Sequence, residues 1–221
     1  MRKPSTPQTV GVIFTRTDLR RAARMRNPPD LFELRLDALF ARSEELTGTI
    51  RDLGAPLIIT ARHPREGGVN QLSAQKRRVL FLRFLPHAAY VDIELRSART
   101  LAAILQEARV KNLNTIISFH DFNETPSHSR LDEIARLAQS LGADLLKIAT
   151  RTDTSAQLTR LRDFFLRKRQ GMNIAAMGVG DLGRISRIEF AKCGSVLNYA
   201  HLGNPQVEGQ LSIAELRRIL R

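Results

Sequence analysis

Short runs rich in β-branched and large apolar residues recur along the whole chain, and each is followed by a stretch of helical periodicity. The runs are Val10 to Phe14, Leu31 to Leu36, Pro56 to Thr60, Tyr90 to Leu95, Thr115 to Phe119, Leu145 to Ala149, Ile174 to Met177 and Ser195 to Tyr199. Helical patterns lie between them at Asp18 to Met25, Ser73 to Leu85, Ala98 to Lys111, Ser129 to Leu141 and Ser155 to Arg169, and Ser212 to Leu220 closes the chain. This alternation marks a parallel sheet crossed by helices, because parallel neighbours can be joined only by a long crossover. Eight such units in 221 residues predict an α/β TIM (β/α)8 barrel, with a doubly wound open sheet as the competing topology. No linker, composition break or low-complexity tract divides the chain, so residues 1–221 are expected to form a single barrel domain.

Composition narrows the class of partner. The hydrophobic fraction of 43% and charged fraction of 26% are those of an ordinary soluble protein. A net charge of +13 favours an anionic partner. Arg20, Arg21, Arg24, Arg77, Arg78, Arg217 and Arg218 fall within amphipathic helical patterns, where a solvated outer face accounts for them. The chain has no Trp and two Tyr, a poor supply of stacking platforms, so a small anion is expected rather than a nucleic acid. Cys193 is the only cysteine, which excludes an intrachain disulfide and fits a reducing compartment. Its neighbours offer no metal-ligand spacing, and a small core residue is the expected role. The basic start, MRKPSTPQ, precedes no apolar stretch of signal-peptide length, and no run is long enough to span a membrane. A cytoplasmic protein without a membrane partner is therefore expected.

In a barrel, functional groups gather at the C-terminal ends of the strands. Glu33 and Arg35 alternate with leucines in Leu31-Phe32-Glu33-Leu34-Arg35-Leu36, so both point to one face, expected to be the barrel interior. Arg62 and Glu66 follow the third run, Asp92 and Glu94 end the fourth, and His120 ends the fifth. Lys147 lies within the sixth, and Arg187 and Gln210 follow the seventh and eighth. Buried charges are costly unless paired or used, so their convergence suggests a site. Lys147 among apolar neighbours, with cations nearby, reads either as an amine freed to act as a nucleophile or as a strand-end lysine reaching solvent. His120 reads as a proton shuttle or as a satisfied structural residue; His63, His87, His128 and His201 lack a comparable context.

The strings Glu33-Leu34-Arg35-Leu36-Asp37, Thr60-Ala61-Arg62 with Glu66-Gly67-Gly68, Asp92-Ile93-Glu94 and Ser118-Phe119-His120-Asp121-Phe122 occur in order along the chain. Lys147-Ile148-Ala149, Gly183-Arg184-Ile185-Ser186-Arg187 and Gly209-Gln210 follow. In this order and spacing they resemble the type I 3-dehydroquinate dehydratases across nearly the whole length. The resemblance implies a lyase of the shikimate pathway that converts 3-dehydroquinate to 3-dehydroshikimate and water through an imine on Lys147. It implies His120 as acid and base, Glu66 as the carboxylate that orients it, and Arg187 as the holder of the substrate carboxylate. Glu33, Arg35, Arg62, Gln206 and Gln210 would surround the substrate hydroxyls and a closing loop, Gly203 to Gln210. No metal or cofactor is implied, and a homodimer is.

Two departures stand out. The family usually carries Ser or Thr four positions before its glutamine, where this chain has Gln206. Met177 to Gly183 resembles the family loop lengthened by two residues. The string Gly178-Val179-Gly180-Asp181-Leu182-Gly183 also matches a dinucleotide-binding pattern, but it falls in the seventh unit and no acidic residue ends the next run. Other readings are a Schiff-base aldolase, which would cleave a sugar phosphate, and a basic barrel binding RNA or another polyanion, which would show steep salt dependence without turnover.

Overall fold

The computed structural model describes residues 6–220; the first five residues of the basic start lie outside them. Eight parallel strands make up one sheet: β1 (Gln8–Ile13), β2 (Leu31–Arg35), β3 (Leu57–Thr60), β4 (Tyr90–Glu94), β5 (Asn114–Asp121), β6 (Leu145–Arg151), β7 (Ile174–Val179) and β8 (Leu197–His201). Their order is β7-β6-β5-β4-β3-β2-β1-β8, so the last strand returns beside the first. The remaining seam, between β7 and β8, is bridged by Val196 N–H on the Ile174 carbonyl at 3.0 Å and Ala176 N–H on Ser195 Oγ at 3.2 Å. The result is a nearly closed TIM barrel, and the open-sheet alternative falls.

The helices are α1 (Arg16–Ala23), α2 (Leu36–Leu39), α3 (Ser43–Thr49), α4 (Ala74–Phe84), α5 (Ala102–Val110), α6 (His128–Ser140), α7 (Ser155–Lys168), α8 (Gly183–Lys192) and α9 (Ile213–Leu220). Hydroxyl caps start several of them: Thr15, Ser73, Ser127 and Thr154 each accept a backbone N–H of the first turn. No helix of the described residues is long and apolar enough to cross a membrane.

Strand alternation splits the apolar residues into two cores. Phe32, Leu34, Val91, Ile93, Ile117, Leu146 and Ile148 face the helices, while Val10, Leu31, Ile58, Ile116, Leu145, Ala149 and Leu197 fill the barrel interior. Glu33, Asp92, Ser118 and Lys147 belong to the inward set by the same period of two, so the pleat delivers them into the barrel. The register then sets them side by side: Thr60 opposite Asp92, and Ser118 opposite Lys147.

Three sequence expectations change. β5, β6 and β7 continue past their apolar runs, because His120 stays paired with Ala149 and Thr150 with Gly178. The second unit carries the short helices α2 and α3, where no helical pattern was marked. Most important, Arg77 is not on a solvated face. It is 2% exposed, with Nε donating to the Ala61 carbonyl at 2.6 Å, one terminal nitrogen on Ser97 Oγ at 3.0 Å and the other on Glu94. The inward Glu94 carboxylate needs a buried cation, and α4 supplies it. Of the other six arginines, Arg20, Arg21, Arg24, Arg78 and Arg218 are exposed, whereas Arg217 is half-buried and donates to the carbonyls of Asn27 and Pro28. Cys193 is partly buried against the outer core. An Arg77→Leu variant is expected to lose about 3 kcal/mol, since one partner of a buried pair is removed. An unchanged denaturation midpoint would mean that Arg62 and His63 N–H satisfy Glu94 alone.

Candidate active site

The inward-facing charges balance one another. Arg62 reaches from the end of β3 across the barrel mouth, making two bonds to Asp92 at 2.8 and 3.1 Å and one each to Glu94 at 3.3 Å and Ser118 Oγ at 2.6 Å. It also lies 3.7 Å from Glu33. Three carboxylates (Glu33, Asp92, Glu94) thus face three cations (Arg62, Arg77, Lys147) in a layer with almost no solvent exposure. Burial alone would raise the pKa of Asp92, but Arg62 and then Lys147 outweigh it and hold the carboxyl well below its usual range. The same logic holds Arg62 above its ordinary value: burial opposes its charge, and Asp92, Glu94 and Glu33 more than restore it.

Lys147 projects its Nζ to 3.1 Å from Glu33 Oε1 and 3.0 Å from Asp92 Oδ2, with the Tyr199 ring centroid 3.8 Å away. Its side chain is 5% exposed. The expectation that cations crowd this amine needs correcting: its nearest charged neighbours are carboxylates. A buried cation without a counter-charge is too costly, and β2 and β4 provide two. The amine is therefore fixed in place with proton acceptors beside it.

His120 and Glu66 meet above this layer. Glu66 ends the short 3-10 turn Pro64–Glu66 after β3, and the left-handed Gly67 (φ 83°) turns the chain away. Glu66 Oε2 lies 3.0 Å from His120 Nδ1 and accepts the His120 backbone N–H at 2.9 Å. Arg35 steadies the turn, with two bonds to Asp37 at 2.9 Å and one to the Gly67 carbonyl at 3.1 Å. Burial, reinforced by Arg62 and Lys147, holds the His120 pKa well below its ordinary value, so the imidazole is neutral near pH 7. In the tautomer that directs Nδ1–H at the Glu66 carboxylate, Nε2 keeps its lone pair for a proton.

Arg187, on α8, is buried at 7% exposure and forms no ion pair among the described residues. One terminal nitrogen donates to the Tyr199 carbonyl at 3.3 Å, and Nε has no partner. Burial lowers its pKa to about 10, so it is still a cation at neutral pH. An unpaired buried guanidinium calls for an anion from outside. It opens onto a cavity of about 340 Å³, the size of a small-molecule pocket. Glu33, Arg35, Arg62, Glu66, His120, Lys147, Arg187, Gln206 and Gln210 all line this cavity. The nine residues given a role from the resemblance thus line one cavity, while Asp92 and Glu94 lie in the charge layer and do not line it.

A family model for type I 3-dehydroquinase matches residues 14–221. The chain belongs to the type I 3-dehydroquinase family. The 3-dehydroquinate dehydratase of Thermococcus gammatolerans is 32% identical over 212 residues, covering 95% of this chain and 96% of that protein. That of Pyrococcus abyssi is 34% identical over 197 residues, covering 87% and 86%. Among solved structures, 3-dehydroquinate dehydratase from Geobacillus kaustophilus superposes with a TM-score of 0.88 at 25% identity, covering 97% of this chain and 90% of that one.

This type I 3-dehydroquinase has a loop over the cavity, residues 203–210, that is held by its own glutamines. Gln210 Oε1 accepts the Gln206 backbone N–H at 2.8 Å, and Gln206 Nε2 donates to the Asn204 carbonyl. That leaves Gln206 Oε1 buried without a partner, an acceptor beside the cavity. The glycines at the end of β7 and in the loop after it serve packing. A Cβ on Gly178 would stand 2.1 Å from Thr152 Oγ1, and Gly180 has φ +98° against Asp153. Met177 and Val179 from this stretch form apolar cavity wall.

Sequence reasoning left several contributors without a role. Asp92 and Glu94, which alternate in β4 as Glu33 and Arg35 do in β2, were counted among the converging charges but given no part in the chemistry. Tyr199, whose ring covers Lys147, carried no polar signal in a β-rich run. Arg96, which pairs with Glu66 Oε1 at 2.8 Å, carried no sequence signal at all.

Proposed function

We propose that this enzyme dehydrates 3-dehydroquinate to 3-dehydroshikimate, the third step of the shikimate pathway towards aromatic amino acids, through an imine on Lys147. The observation that carries the reading is a buried amine with carboxylate neighbours, at the floor of a cavity whose wall holds an unpaired guanidinium. Arg187 would take the substrate carboxylate through its planar fork. That contact would fix the ring with its ketone towards Lys147. Glu33, Arg35, Arg62, Gln206 and Gln210 would receive the hydroxyls and close the loop.

Lys147 Nζ, its proton passed to a neighbouring carboxylate, adds to the ketone carbon, and loss of water gives a protonated imine. The imine nitrogen draws electrons from the adjacent carbon, whose proton moves to His120 Nε2. The resulting enamine expels the β-hydroxyl, and His120 returns its proton to the departing oxygen, releasing water. A further water hydrolyses the conjugated imine, which frees Lys147 and the product. Since the water lost on imine formation is regained here, one water leaves overall. Glu66 keeps the imidazole in the tautomer this cycle needs.

Purified protein given 3-dehydroquinate should develop the ultraviolet absorbance of a conjugated enone, and the carbinol precursor should disappear in step. Absence of that absorbance with folded protein would defeat the reading. The single cysteine supports a cytoplasmic setting, and we propose a homodimer on the family resemblance; a monomer mass in sedimentation equilibrium would contradict the latter.

A further inference from the structure

Glu66 divides its two oxygens between two different jobs. Oε2 serves His120, at the ring Nδ1 and the backbone N–H. Oε1 faces the opposite way and meets Arg96 Nε at 2.8 Å. Arg96 belongs to the short 3-10 segment Leu95–Ser97 that follows β4, its side chain is 41% exposed, and it does not line the cavity. A buried carboxylate therefore touches the imidazole with one oxygen and a solvent-facing guanidinium with the other.

The rest of the surroundings do not hold the Glu66 charge by contact. Arg62, from β3, makes its bonds to Asp92, Glu94 and Ser118. Glu94, from β4, repels Glu66 while it binds Arg62, Arg77 and His63 N–H. His120 faces it from β5, and Arg35 and Lys147 line the cavity from β2 and β6. Burial pushes the Glu66 pKa up to about 7; Arg62 opposes that rise, Glu94 adds to it, and Arg96 and the His120 backbone N–H pull it down. The carboxyl is thus balanced between its two forms at working pH.

The two forms have opposite consequences for His120. An ionised Glu66 accepts Nδ1–H and leaves Nε2 free to take a proton. A protonated Glu66 is a neutral group that carries its hydrogen either on Oε2, directed at Nδ1, or on Oε1, leaving Oε2 to accept Nδ1–H without a charge. In the first case the ring proton moves to Nε2 and the base is blocked; in the second no negative charge offsets the positive one the ring gains on taking a proton, and the base is weakened. We propose that Arg96 is a positioning residue for the dehydration: by pairing with Glu66 Oε1 it favours the ionised Glu66, the form that holds His120 Nδ1–H and leaves Nε2 as the base. This rests on the imine reading of the site.

The test is the pH profile of kcat/KM for 3-dehydroquinate in the wild type, Arg96→Leu and Arg96→Lys. Loss of an opposite charge from a half-exposed pair should move the acid limb of Arg96→Leu up by about one pH unit, the low end of the range for such neighbours. At a pH on that limb the rate should fall about ten-fold, with KM unchanged because Arg96 does not line the cavity. Arg96→Lys should recover most of the shift. High salt should move the wild-type limb in the same direction and leave that of Arg96→Leu in place. In a Glu66→Gln background, Arg96→Leu should have no further effect. An acid limb unchanged by Arg96→Leu, an effect confined to KM, or an equal loss in the Glu66→Gln background would each overturn the proposal. A wild type with no turnover would instead defeat the reading of the site on which it rests.

Discussion

A Lys147→Met enzyme turns 3-dehydroquinate over at least about 10⁵-fold more slowly than the wild type, the scale on which deletion of a covalent nucleophile acts. Methionine keeps the length of the side chain and its packing against Tyr199, so the loss isolates the amine. The substitution also disturbs the charge layer, because Glu33 Oε1 and Asp92 Oδ2 lose a cation at 3.1 and 3.0 Å. Arg62 still binds both sides of that gap, which limits the cost to about 1–3 kcal/mol, below that of a fully orphaned buried charge.

The pH dependence of that cost has a defined sign. Asp92 is held below its ordinary value of 3.8 by Arg62 and Lys147 against the effect of burial. A carboxylate with a depressed folded pKa contributes stability that is present above the unfolded value and lost as pH falls towards the folded one. The stability gap between wild type and Lys147→Met is therefore widest near neutrality and narrows below about pH 4. Chemical denaturation at several pH values measures it. A variant with near-wild-type turnover would remove the imine from the mechanism.

Arg187→Leu should produce two large effects in opposite directions. KM for 3-dehydroquinate rises roughly 10- to 100-fold, the worth of one charged hydrogen-bonding contact. The free protein becomes more stable by about 1–2 kcal/mol, because an unpaired buried guanidinium is replaced by an apolar side chain. The loss of its single bond to the Tyr199 carbonyl, 3.3 Å long, offsets little of this. Substrate analogues bearing a carboxylate should also stabilise the wild type against heat and leave the variant unaffected. A variant with unchanged KM and lower stability would make Arg187 a structural arginine.

The barrel was legible because its signals are local. Alternation in Leu31 to Leu36 put Glu33 and Arg35 on one face, and the structure has both lining the cavity. The same period placed Lys147 between Leu145 and Ala149 on the interior side. What escaped depends on contacts far apart in sequence. Arg77 has an arginine's usual place in an amphipathic pattern, and only Glu94, 17 positions on and buried at the end of β4, explains why it turns inward. Lys147 lies 55 positions from Asp92, so its carboxylate neighbours were no part of any local pattern. The polar ends of β5 and β6 lay beyond the apolar runs because side-chain character changes at His120 and Thr150, while the backbone ladder continues. Arg96 illustrates the limit most clearly. Its half-exposed side chain looks like ordinary surface until Glu66 is found beside it.

The central claim, a covalent imine on the buried amine of Lys147, is tested most directly by borohydride trapping. The wild-type chain is mixed with 3-dehydroquinate, reduced, digested and weighed by mass spectrometry. The account predicts inactivation that depends on both substrate and borohydride, with the added mass of a reduced ligand adduct on the peptide containing Lys147 and none in Lys147→Met. Turnover that continues through reduction with no mass added at Lys147, or an adduct on another lysine, would contradict it.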